Sequence, residues 1–137
     1  MTTASLVIVA DLGGLRAYRV SETQTRGPRL KLVQAFDLPD VMNAATLQHR
    51  TPMGDWPLLQ AEMERRACKE LAVEIARIVR DAHGEGWSFA APESVYPIIV
   101  NLLPSEIRER IVEHVESDLV KVPVAALASH FRSLQAV

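Results

Sequence analysis

Leu59, Met63, Ala67, Leu71, Ile75 and Val79 recur at four-residue intervals, which lays one apolar stripe along a long helix that begins near Leu58. A helix with one such stripe is stable only when the stripe is covered, so the rest of the chain must supply a sheet or further helices to lie beneath it. Local signals support its ends. Asp55 can cap the start, Pro57 fits the first turn, Glu62 can pair with Arg66 one turn on, and Gly84 after His83 can close it.

The residues before this helix read as strands. Leu6 to Ala10 is a continuous apolar run rich in β-branched side chains, which suits a central strand covered on both faces. Asp11-Leu12-Gly13-Gly14 then marks a tight turn, with Leu15 to Val20 returning as a hairpin partner. Gly27-Pro28 is a further turn signal, after which Leu30 to Phe36 reads as a third strand with Leu30, Leu32 and Phe36 on one face. The stretch from about 37 to 57 holds Pro39, Pro52 and Pro57 without periodicity, and a loop of that length is more than a connection.

After the helix, Trp87 to Ala91 is a short strand closed by Pro92. Glu93 to Leu103 carries Tyr96, Ile99, Val100 and Leu103 at helical spacing, and Ser105 to Arg110 is a polar helical turn. Ile111 to Val122 fits both patterns and is read as helix passing into strand. Val122-Pro123 opens a last helix, with Val124, Leu127 and Phe131 on its apolar face. The order of elements gives an α/β fold: one domain over residues 1–137, a mixed sheet of about five strands with helices packed on its faces, of the ribonuclease-H-like kind.

Composition narrows function. A chain of 137 residues with 48% hydrophobic and 23% charged residues is ordinary globular protein, with no apolar run long enough for a membrane span. Its net charge of −2 gives no global attraction to phosphate, so nucleic-acid binding would need a local basic patch. The lone Cys68 excludes an internal disulfide and, with no basic leader at Met1, fits a cytoplasmic protein.

Several stretches, taken in order, resemble a bacterial family known as host-attachment proteins, which is similar to the middle domain of archaeo-eukaryotic peptide-chain release factors. They are Leu6-Val7-Ile8-Val9-Ala10-Asp11, Gly14-Leu15-Arg16-Ala17, Glu64-Arg65-Arg66-Ala67-Cys68-Lys69-Glu70-Leu71-Ala72, Ala90-Ala91-Pro92 and Asp118-Leu119. The release factors carry a Gly-Gly-Gln loop before the long helix, where it places the attacking water. Here His49-Arg50-Thr51-Pro52-Met53-Gly54-Asp55-Trp56-Pro57 has one glycine and no glutamine after it. The resemblance therefore implies a module that binds a ribosome, a tRNA or a protein, without peptide release and without a cofactor.

The residues this reading assigns to the partner are Arg50, Met53, Gly54, Asp55, Trp56, Arg65, Arg66 and Lys69. Trp56 would stack on a base or anchor the loop, and the cations would meet phosphate or form a solvated, ion-paired helix face. Two alternatives stand beside it. In a metal-dependent nuclease Asp11 would hold the ion with Asp118 and Glu93, whereas an aspartate before Gly-Gly is otherwise a turn residue. In a homo-oligomeric interaction domain, the third-strand edge and the loop would be covered by a second copy. His49, His83, His114 and His130 lack metal-ligand spacing, Cys68 reads as a packed residue, and Trp87 as core or rim.

Overall fold

A computed structural model of the chain describes residues 5–23, 27–38, 56–82 and 86–134. Within them lie β1 (Leu6–Asp11), β2 (Gly14–Thr23), β3 (Gly27–Asp37), α1 (Trp56–Asp81), β4 (Trp87–Ala90), α2 (Tyr96–Leu102), α3 (Ser105–Arg108), β5 (Ile111–Val115) and α4 (Val124–Leu127). Two short 3-10 turns, Ala128–His130 and Arg132–Leu134, follow.

The strands form one five-stranded mixed sheet in the order β3-β2-β1-β4-β5. β1 pairs antiparallel with β2 and parallel with β4; β2 to β3 is antiparallel and β4 to β5 parallel. β1 sits in the middle and is buried on both sides, as its unbroken apolar run demands. Leu6, Ile8 and Ala10 face a first core with Leu71, Ile75, Val79, Phe89 and Ile99. Val7 and Val9 face a second with Leu119, Leu127, Phe131 and Leu134. Helices α1 to α3 thus cover one face and the C-terminal segment covers the other.

Some expectations need correction. Gly27 and Pro28 belong to β3, paired with Thr23 and Glu22, because proline is tolerated at the start of an edge strand. Leu30, Leu32 and Phe36 do not share a face. A bulge lies where Ala17 opposite Gln34 gives way to Tyr18 opposite Leu32, so Val33 is extra, and Leu30 joins the second core while Phe36 joins the first.

Ile111 to Val115 is strand from its first residue, not helix, because pairing with β4 decides between two local patterns of similar strength. The last helix is a single α turn. Val124 is 44% exposed, leaving Leu127 and Phe131 to fill the core. Residues 39–55 of the expected loop, and Gly84 at the expected helix stop, lie outside the described residues. Among the described residues, no helix is long and apolar enough to cross a membrane.

Candidate functional site

α1 has 26 residues, about 39 Å of helix at 1.5 Å per residue. Its burial is graded along that length. Cys68, Leu71, Ala72, Ile75, Ala76, Ile78 and Val79 are buried on the sheet, while Leu59, Met63 and Ala67, on the same stripe, are only half-buried. The outward face runs through Leu58, Glu62, Arg65, Arg66, Lys69 and Val73 at three- and four-residue steps, and all six are exposed. Leu58 and Val73 are 73% and 69% exposed, so this face is not uniformly polar.

Charge is distributed unevenly on the helix. Arg77 pairs with Glu74 and lies 3.6 Å from Asp81, and Arg80 reaches Glu106 of α3 at 2.6 Å. Arg65, Arg66 and Lys69 form no ion pair with another described residue, and neither the expected Glu62–Arg66 pair nor any other neutralises them there. Glu62, Glu64 and Glu70 remain nearby on the same helix. Of the other residues assigned to this surface, Arg50, Met53, Gly54 and Asp55 lie outside the described residues. Trp56 is the first residue of α1 instead of a loop residue, with Pro57 taking the early helical position that suits its fixed φ.

Asp11 is occupied by its turn. Its Oδ1 accepts from the N–H of Gly13 at 2.7 Å and of Gly14 at 3.1 Å. Gly14 has φ of +152°, and a Cβ there would collide with the carbonyl oxygen of Phe36, so the turn requires glycine. Asp11 ends β1, and Glu93 and Asp118 follow β4 and β5, yet among the described residues no three of His, Cys, Asp and Glu gather where an ion could sit. Arg16 lies beside the turn and binds Asp37 at 2.8 Å.

The structure also joins residues that sequence separates. The Tyr96 hydroxyl hydrogen-bonds Nδ1 of His114, and their rings meet edge-on with centroids 5.6 Å apart. Tyr96 packs on Phe89 at 5.1 Å and Phe89 on Trp87 at 5.3 Å, while Trp87 Nε1 donates to the Ile107 carbonyl at 3.0 Å. Trp87 is therefore core. Burial, and secondarily Glu116, hold the Tyr96 phenol above its ordinary range, which keeps it protonated. No local pattern announces this pair, since the two residues are 18 apart and only the β4–β5 pairing brings them together. Burial, with Glu64, likewise pushes the Cys68 thiol up, the opposite of what a nucleophile needs.

The described residues thus define a mixed-sheet α/β protein whose long helix presents unpaired cations and whose carboxylates do not assemble into a metal centre. By its sequence, the chain belongs to the family described as proteins required for attachment to host cells, whose model matches residues 6–131. Among curated proteins, none matches the chain.

Proposed function

We propose that this protein is a non-catalytic binding module that meets a ribosome or tRNA through the outward face of α1. The fold we assign to it is ribonuclease-H-like, related to the middle domain of archaeo-eukaryotic release factors. The strand order β3-β2-β1-β4-β5, with β2 antiparallel to β1 and β4 parallel to it, supports the fold assignment.

The observation that carries the binding assignment is the contrast along α1. Arg77 and Arg80 are neutralised by acidic partners, whereas Arg65, Arg66 and Lys69 lie on the exposed face without one among the described residues. Unneutralised cations on a rigid helix are available to phosphate, and their contribution weakens with salt as counterions compete.

The description of the family, attachment to host cells, favours a second reading. In it the protein has an attachment-related role, and the same face, with its exposed Leu58 and Val73, receives a protein partner or a second copy.

Sedimentation with ribosomes from its own lysate across a salt series separates the two. The first reading expects cosedimentation that salt removes and that an Arg65→Ala, Arg66→Ala, Lys69→Ala variant lacks. A wild-type protein that stays at the top of the gradient at low salt overturns it and moves the attachment-related reading to first place.

A further inference from the structure

The hairpin of β2 and β3 outgrows the rest of the sheet. β1 pairs with β2 only between Gly14 and Arg19, and the Ser5 carbonyl adds one bond from the Val20 N–H at 2.9 Å. Beyond that point, Ser21 to Thr23 and Gly27 to Arg29 pair only with each other among the described residues. The two faces of this ribbon differ in kind. Val20 and Leu30 turn toward the second core, where Leu127 and Phe131 pack. Arg19, Ser21, Arg29 and Lys31 occupy the opposite face, and all four are exposed.

The register makes this a charge cluster that sequence spacing hides. Arg19 stands directly opposite Lys31, and Ser21 opposite Arg29, so three cations share one small face. Like charges directly opposite on a sheet are destabilising. None of the three forms an ion pair with another described residue. A groove at the root of the ribbon, lined by Leu6, Arg19, Val33, Gln34, Ile78 and Asp81 among others, contains one acid, and Asp81 lies 3.6 Å from Arg77. In a chain with net charge −2, such a concentration is local.

We propose that this ribbon face is a second contact surface, taking the phosphate backbone of an RNA strand, beside the C-terminal end of α1, whereas Arg65 and Arg66 lie near the helix middle. An unneutralised row of cations complements a row of phosphates, and the guanidinium groups of Arg19 and Arg29 present the planar fork that phosphate oxygens accept. Among the described residues this face is polar at Arg19, Ser21, Arg29 and Lys31, with Val33 exposed beside Arg19 at its root, which suits a row of phosphates better than insertion into a bilayer. The inference rests on the preceding reading only in its choice of RNA.

The test uses fluorescence anisotropy of a labelled single-stranded RNA across a salt series. Duplex DNA of equal length and anionic phosphatidylserine vesicles serve as comparison probes. The full chain is compared with an Arg19→Gln, Arg29→Gln, Lys31→Gln variant and with the Arg65→Ala, Arg66→Ala, Lys69→Ala variant. Loss of three contacts to a single strand is expected to lower the slope of log affinity against log salt by about two, and to weaken binding at low salt roughly tenfold or more. The ribbon variant should melt no lower than wild type, since it removes the Arg19–Lys31 repulsion.

Unchanged RNA affinity in the ribbon variant overturns the proposal, as does a wild type that binds only vesicles, prefers duplex DNA, or binds no RNA. If the α1 variant alone loses binding, the ribbon surface falls and the binding function stands. If the ribbon variant alone loses it, the ribbon stands and the α1 face is wrong.

Discussion

The hydroxyl of Tyr96 and Nδ1 of His114 share a hydrogen bond that ties the first residue of α2 to the edge strand β5. Tyr96 is buried and His114 exposed, so losing the bond leaves a ring nitrogen that water can satisfy. Tyr96→Phe keeps the ring packing on Phe89 and should cost only about 0.5–1.5 kcal/mol in urea unfolding.

The same residue sets an alkaline limit. Unfolded, the phenol loses its proton near its ordinary value of 10; folded, burial and then Glu116 keep it protonated to higher pH. Its contribution is complete below the unfolded value. It is lost as pH rises toward the folded one, because the unfolded state releases the proton first. Tyr18 shifts the same way through burial, opposed by Arg16. Unfolding free energy measured between about pH 9 and pH 11 should fall, and less steeply in Tyr96→Phe. Equal slopes would remove Tyr96 from the account.

The Asp11 turn gives a prediction about glycine. Gly14→Ala forces a Cβ onto the Phe36 carbonyl at a left-handed φ and should cost on the order of 1–3 kcal/mol. Gly13→Ala brings its Cβ only to 3.2 Å from Asp11 Oδ1 and should cost less. Asp11→Asn retains an acceptor for both N–H groups and should fold normally. A magnesium-dependent RNA cleavage lost in Asp11→Asn would restore the nuclease reading.

Cys68 is buried in the first core beneath α1. An aromatic disulfide reagent should leave it unmodified in native buffer and label it stoichiometrically in denaturant, since both burial and Glu64 disfavour the thiolate. Rapid labelling of the native protein would show that α1 lifts readily from the sheet.

Much of this structure was legible because certain segments admit one pattern only. The apolar run Leu6 to Ala10 fits a doubly covered strand, and the stripe from Leu59 to Val79 fits a helix; both form as read. Ile111, Val115 and Leu119 satisfy helical spacing by coincidence, and only pairing with β4 decides for strand. The bulge at Val33 depends on how two strands match, which neither strand states alone, and it reverses the faces of Leu30 and Phe36. For the same reason Arg65 and Arg66 were visible as candidates from their place on one helix. Arg19 and Lys31, twelve positions apart, become neighbours only through the register.

The outward face of α1 should matter little for stability. Replacing Arg65, Arg66 and Lys69 by alanine removes no ion pair with a described residue and places a strong helix former at each position, so the change should stay within about 0.5 kcal/mol. Ile75→Ala, on the buried face, should cost about 2–5 kcal/mol. The two variants can be compared in one set of urea titrations.

The most direct measurement maps the contact itself. A photoreactive phenylalanine analogue placed at Leu58 or Val73 reports on the outward face of α1, and the same residue at Val124 reports on the opposite side of the sheet. Irradiated in lysate, the Leu58 and Val73 probes should crosslink to ribosomal RNA, tRNA or ribosomal protein, while the Val124 probe does not. Crosslinks from Val124 alone, or none to any translation component from the α1 positions, would contradict the account.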